Sequence, residues 1–88
     1  MIRSKDFIKR KIATQYVIVA LGQATKKFNG MVSVNETGSF IWDALESDIS
    51  MDELVEKITE NYEIDAETAR AHATDFVNTL KGVGAIVE

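Results

Sequence analysis

Hydrophobic and polar positions alternate through the first third of this chain and then shift to a three-to-four-residue spacing. The shift falls within residues 31–45, M-V-S-V-N-E-T-G-S-F-I-W-D-A-L. Met31–Val34 alternates and is β-branched at Val32 and Val34, which predicts a short strand. Asn35 is placed to cap a helix, because its short side chain can accept a hydrogen bond from an amide two or three residues on. Beyond it, Phe40, Ile41, Ala44 and Leu45 share one helical face.

Upstream lie two β-prone runs, residues 7–12 and 15–21. The near-continuous apolar stretch 16–21 predicts a strand buried on both faces. Ala13-Thr14 is the expected turn between them, although it lacks the Asn-Gly or Asp-Gly of a well-specified hairpin. Gly22 ends the second run, residues 23–28 read as a polar connector, and Asn29-Gly30 signals a turn before the third strand. The front third is therefore expected to be a three-stranded antiparallel meander.

Downstream the pattern is helical. The first helix is expected over residues 36–46. The second opens on Ser50-Met51-Asp52-Glu53, a capping box, with Ile49 and Leu54 at the positions of a hydrophobic staple. Its apolar face is Leu54, Val55, Ile58 and Tyr62. Asp65 is the expected N-cap of the third helix, with Glu67 near the positive end of the dipole. Its buried stripe should be Ala69, Ala73, Phe76, Val77 and Leu80, and Gly82 and Gly84 are natural stops. Residues 85–87 are apolar and suit a return along the sheet or the core. Strands followed by helices imply an α+β domain with helices packed on one face of a small antiparallel sheet.

Composition narrows the function more than the fold. Eighty-eight residues at 45% apolar content suit one small domain over 1–88. The sequence holds no cysteine, which excludes disulfides, thiolate metal sites and a cysteine nucleophile. No apolar run nears the roughly 20 residues of a membrane span, and the first residues do not lead into a signal-peptide core. The expectation is a soluble, cytoplasmic domain with no membrane partner.

The net charge of −4 conceals an asymmetry. Residues 1–34 carry seven Lys/Arg against the single acid Asp6, whereas residues 35–88 carry three against thirteen acids. Two solvated surfaces of opposite sign, or a bipolar surface that orients a charged partner, both follow from this.

Catalytic chemistry is scarce. The lone histidine, His72, borders the buried stripe of the third helix, where a structural or solvated role is the ordinary one. No His/Asp/Glu cluster has metal-ligand spacing, so no catalytic residue, metal site or cofactor is expected. Asp52, Glu53, Glu56, Glu60 and Glu63 read as the solvent side of the second helix. Nucleic-acid binding by a winged helix is the alternative function. Against it, the third helix sets Arg70 and Lys81 against Asp65, Glu67 and Asp75 and would be repelled by phosphates.

The ordered set Gly30-Met31-Val32, Val34-Asn35-Glu36-Thr37-Gly38, Ile41-Trp42, Leu54-Val55, Asp65-Ala66-Glu67-Thr68-Ala69-Arg70, Phe76, Leu80 and Gly84-Ala85-Ile86 resembles the PqqD family. That family holds pyrroloquinoline quinone biosynthesis protein D and related precursor-peptide recognition domains. The resemblance implies a small winged-helix-like fold of three strands and three helices. It also implies a non-catalytic peptide chaperone that binds the leader segment of a ribosomally made precursor by strand addition. The implied partner beyond the peptide is a modifying enzyme, such as a radical SAM protein or a leader peptidase/cyclase system.

On that reading the leader pairs with the third strand, at Gly30, Met31, Val32, Ser33 and Val34, and lies beside the third helix. Expected groove residues on that helix are Arg70, Ala73, Thr74, Val77, Asn78 and Lys81, with Ala73 and Val77 also eligible for the core. Phe40, Trp42 and Leu45 are expected to be core. A purely structural domain that dimerises through the same strand edge is the third reading.

Overall fold

The computed structural model describes residues 1–87. Its element order is β1 (Ile2–Arg3), β2 (Phe7–Ile12), β3 (Gln15–Ala20), β4 (Met31–Val34), α1 (Glu36–Ala44), α2 (Met51–Asn61), α3 (Ala66–Val83) and β5 (Ile86–Val87). The three expected strands form one antiparallel sheet in the order β2-β3-β4, and three helices follow it. The α+β architecture with strands ahead of helices is thus as the sequence pattern implies.

Two departures have clear causes. Ile2 and Arg3 pair with Val87 and Ile86 in a separate two-stranded sheet. Runs of two residues are too short to show a period, so no local pattern announces them. The connector after β3 winds into a 3-10 turn over Gly22–Lys26, entered through Gly22 at a φ of 54°. The β2–β3 turn does fall at Ala13-Thr14, and Ala13 adopts a φ of 57° that asparagine or glycine would take at less cost.

Every α-helix starts on the cap read from the sequence. Asn35 accepts from the Gly38 amide at 2.7 Å. Ser50 and Glu53 accept from each other's backbone N–H at 3.1 and 3.2 Å. Asp65 accepts from the Thr68 amide at 2.7 Å, and Gly84 ends α3 in the left-handed conformation. The Thr68 backbone N–H, reinforced by the Thr68 side chain, holds the Asp65 carboxyl below its ordinary value of 3.8.

The core joins Phe7 and Ile18 of the sheet to Ile41, Trp42 and Leu45 of α1, Leu54, Val55 and Ile58 of α2, and Ala69, Ala73, Val77 and Leu80 of α3. Ile49 of the staple is buried as well. Polar contacts then orient the sheet on the helices. Lys9 of β2 donates to Ser39 at 2.6 Å and pairs with Asp43 at 2.8 Å, both on α1. Arg3 donates to the Trp42 carbonyl at 3.0 Å and lies 5.3 Å from the centroid of the Trp42 ring. The Ser4 and Arg3 amides donate to the Ala85 and Leu45 carbonyls, so the start of the chain is tied to the segment after α3 and to the end of α1.

Candidate peptide-binding edge and cleft

The sheet has two edges, and they differ in chemistry. β2 carries Lys9, Arg10 and Lys11 in succession, the kind of charged edge that discourages pairing with a further strand. β4 reads Met-Val-Ser-Val, uncharged and without proline. It pairs with β3 alone, so its outward backbone groups meet no strand among the described residues. Val32 and Val34 point into the domain and pack on the core, whereas Met31 and Ser33 face outward.

Where β4 ends, the chain turns at once into α1, and α3 crosses beside that junction. A cleft of about 350 Å³ opens there, lined by Asn35, Thr37, Gly38 and Ile41 from the start of α1 and by His72, Asp75, Phe76 and Thr79 from α3. Gly38 is the point of closest approach. A Cβ built on it would lie 3.2 Å from Cε1 of Phe76 and 3.4 Å from Cβ of Val34. The same atom would lie 3.2 Å from the Asn35 oxygen that caps α1. Ile41 is buried and Phe76 half-buried, giving the cleft an apolar floor. The Asp75 side chain and the exposed His72 stand one turn apart on its rim. Such a site can hold an apolar side chain while its rim meets polar or cationic groups.

The expected site residues are placed unevenly by this geometry. Gly30, Met31, Val32, Ser33 and Val34 lie together along the unguarded edge, with Gly30 against the Phe28 ring. The six helix candidates do not line the cleft. Ala73 and Val77 are in the core at 0% and 2% exposure. Arg70 forms an ion pair with Asp52 and so faces α2. Thr74 is half-buried, and Asn78 and Lys81 are exposed, on the same flank of α3 as Arg70. The flank that lines the cleft, facing the start of α1 just beyond β4, is instead His72, Asp75, Phe76 and Thr79. Their spacing of three and four residues marks a helical face, but nothing local says which flank of the buried stripe lines the cleft.

No group of three or more His, Asp or Glu residues suited to a metal occurs among the described residues, and no helix there is long and apolar enough to cross a membrane.

Residues 15–86 match the family described as Coenzyme PQQ synthesis protein D (PqqD). The chain belongs to that family. Among solved structures it is similar to one described as "TbiB1 in Complex with the TbiA(beta) Leader Peptide". The two share 24% sequence identity over 93% of this chain and 90% of that one, with a TM-score of 0.72, which shows a common fold. No match was found among curated proteins.

Proposed function

We propose that this chain is a single-domain, non-catalytic peptide chaperone that binds the leader segment of a ribosomally made precursor and presents it to a modifying enzyme. The observation that carries the reading is the contrast between the two sheet edges, one carrying three cations and one uncharged, with a cleft floored by Ile41 and Phe76 opening where that strand ends. Membership of the PqqD family supports it, as does the shared fold with a protein solved in complex with a leader peptide.

The leader would add as a strand to β4, over Gly30, Met31, Val32, Ser33 and Val34, and set a side chain into the cleft below Val34. A four-residue edge offers about four backbone hydrogen bonds on its free side, each contributing about 1 kcal/mol net. Micromolar affinity requires about 8 kcal/mol, so backbone pairing supplies roughly half. The remainder must come from side chains, which is the role assigned to Phe76, Ile41 and the rim of His72 and Asp75.

The test is a titration of the isotope-labelled protein with synthetic leader peptides of candidate precursors from the same genome. Amides of residues 30–34 and of residues 72–79 on α3 should shift together. Shifts confined to residues 9–11 of β2 would refute the reading. They would favour phosphate contacts there, with a steep salt dependence.

A further inference from the structure

The face of the sheet turned away from the helices is apolar, where an antiparallel sheet usually presents polar side chains to water. The strand register aligns Ile8, Val19 and Met31 as one row across all three strands. Arg10, Val17 and Ser33 form the next row, with Ile12 opposite Gln15 beyond it. Val17 is only 5% exposed yet stands apart from the cluster that fills the domain. Ile12 and Met31 are 50% and 61% exposed. Arg10 is the one charged residue in these rows, and no ion pair among the described residues includes it.

We infer that this outer face docks the enzyme that acts on the peptide, through an apolar surface presenting a carboxylate to Arg10, and that the bound peptide completes the docking surface. The inference rests on strand addition at β4. A strand laid beside β4 sends every second side chain to the outer face, next to Met31. The row of Ile8, Val19 and Met31 then gains a fourth column, and it gains it only when the peptide is bound. The enzyme thereby distinguishes the loaded protein from the empty one, and reciprocity requires it to tighten the grip on the leader by the same factor. A second copy of this chain suits the face less well, because two such faces would oppose each other with arginines and no carboxylate.

The experiment titrates a purified modifying enzyme, one that acts on a precursor whose leader this chain binds, into the chain alone and into the chain saturated with that leader. Wild type is compared with Ile12→Glu and Arg10→Glu, both at exposed positions. Enzyme binding should be about ten-fold tighter in the presence of leader. Each variant should weaken it by about five-fold or more while binding leader alone as wild type does. Equal enzyme affinity with and without leader, or variants that bind enzyme as wild type does, would overturn the docking inference and leave leader binding intact. A wild-type chain that binds no leader would refute the proposed function and the composite surface together. Concentration-dependent dimerisation in sedimentation, abolished by Ile12→Glu, would assign the face to a second copy.

Discussion

Gly38 meets the ring of Phe76 so closely that a Cβ on the glycine would lie 3.2 Å from Cε1 of the phenylalanine. One residue without a side chain therefore lets α1, α3 and the end of β4 converge, and the cleft beneath Val34 owes its shape to that contact. Gly38 is buried and sits three residues into its helix, behind the Asn35 cap.

Gly38→Ala separates the two consequences of this contact. Alanine gains up to about 1 kcal/mol of helix propensity, offset by a new methyl that crowds both the Phe76 ring and the Asn35 cap oxygen, each 3.2 Å away. Stability in urea should therefore change by less than about 1 kcal/mol. Leader affinity, measured by calorimetry, should fall by about ten-fold as Phe76 is pushed into the cleft.

Val77 and Asp75 lie two residues apart on α3 and should respond in opposite ways. Val77→Asp places an uncompensated charge in the core at a position 2% exposed, costing about 3 kcal/mol or more, and should abolish the cooperative thermal transition. Asp75→Lys, on the exposed rim, should leave the melting temperature nearly unchanged and alter leader binding in a salt-dependent way.

Asp65 gives α3 a pH dependence of known sign. The Thr68 amide depresses its carboxyl below the ordinary 3.8, so the folded protein takes up that proton later than the unfolded chain does. The contribution is whole above that value and is lost as pH falls through the lower folded value. Asp65→Asn retains a cap without the titration, so its stability should vary less with pH below about pH 4 than that of wild type, as followed by helical circular dichroism.

Ser50→Ala removes one half of the capping box of α2, far in sequence from β4. It should cost about 1 kcal/mol in urea unfolding and leave leader affinity as in wild type.

The local chemistry of the fold was legible because it is carried by neighbours in sequence. Asn35, Ser50 and Asp65 each reach an amide three residues away, so their type and spacing suffice to start the three helices. Residues 31–34 and the turn at Ala13-Thr14 follow from alternation for the same reason. Val17 and Ile18 are both buried although they face opposite sides of the sheet, as their apolar run implies. The pairing of β1 with β5 was not legible, since its partners lie more than eighty residues apart and each run spans two residues.

The candidate site divides along the same line. Sequence alone determined that Met31–Val34 is an uncharged strand leading into a capped helix, and it placed Ala69, Ala73, Val77 and Leu80 in the buried stripe of α3; Phe76, expected in the same stripe, is only half-buried and lines the cleft. Only the tertiary structure decided that β4 is the unguarded edge and that the flank of α3 lining the cleft bears His72, Asp75, Phe76 and Thr79, with Arg70 turned towards Asp52. A helical period fixes which residues share a face but not how the helix is rotated and crossed against its neighbours. Those are set by packing among elements distant in sequence, here by the fit of Phe76 over Gly38.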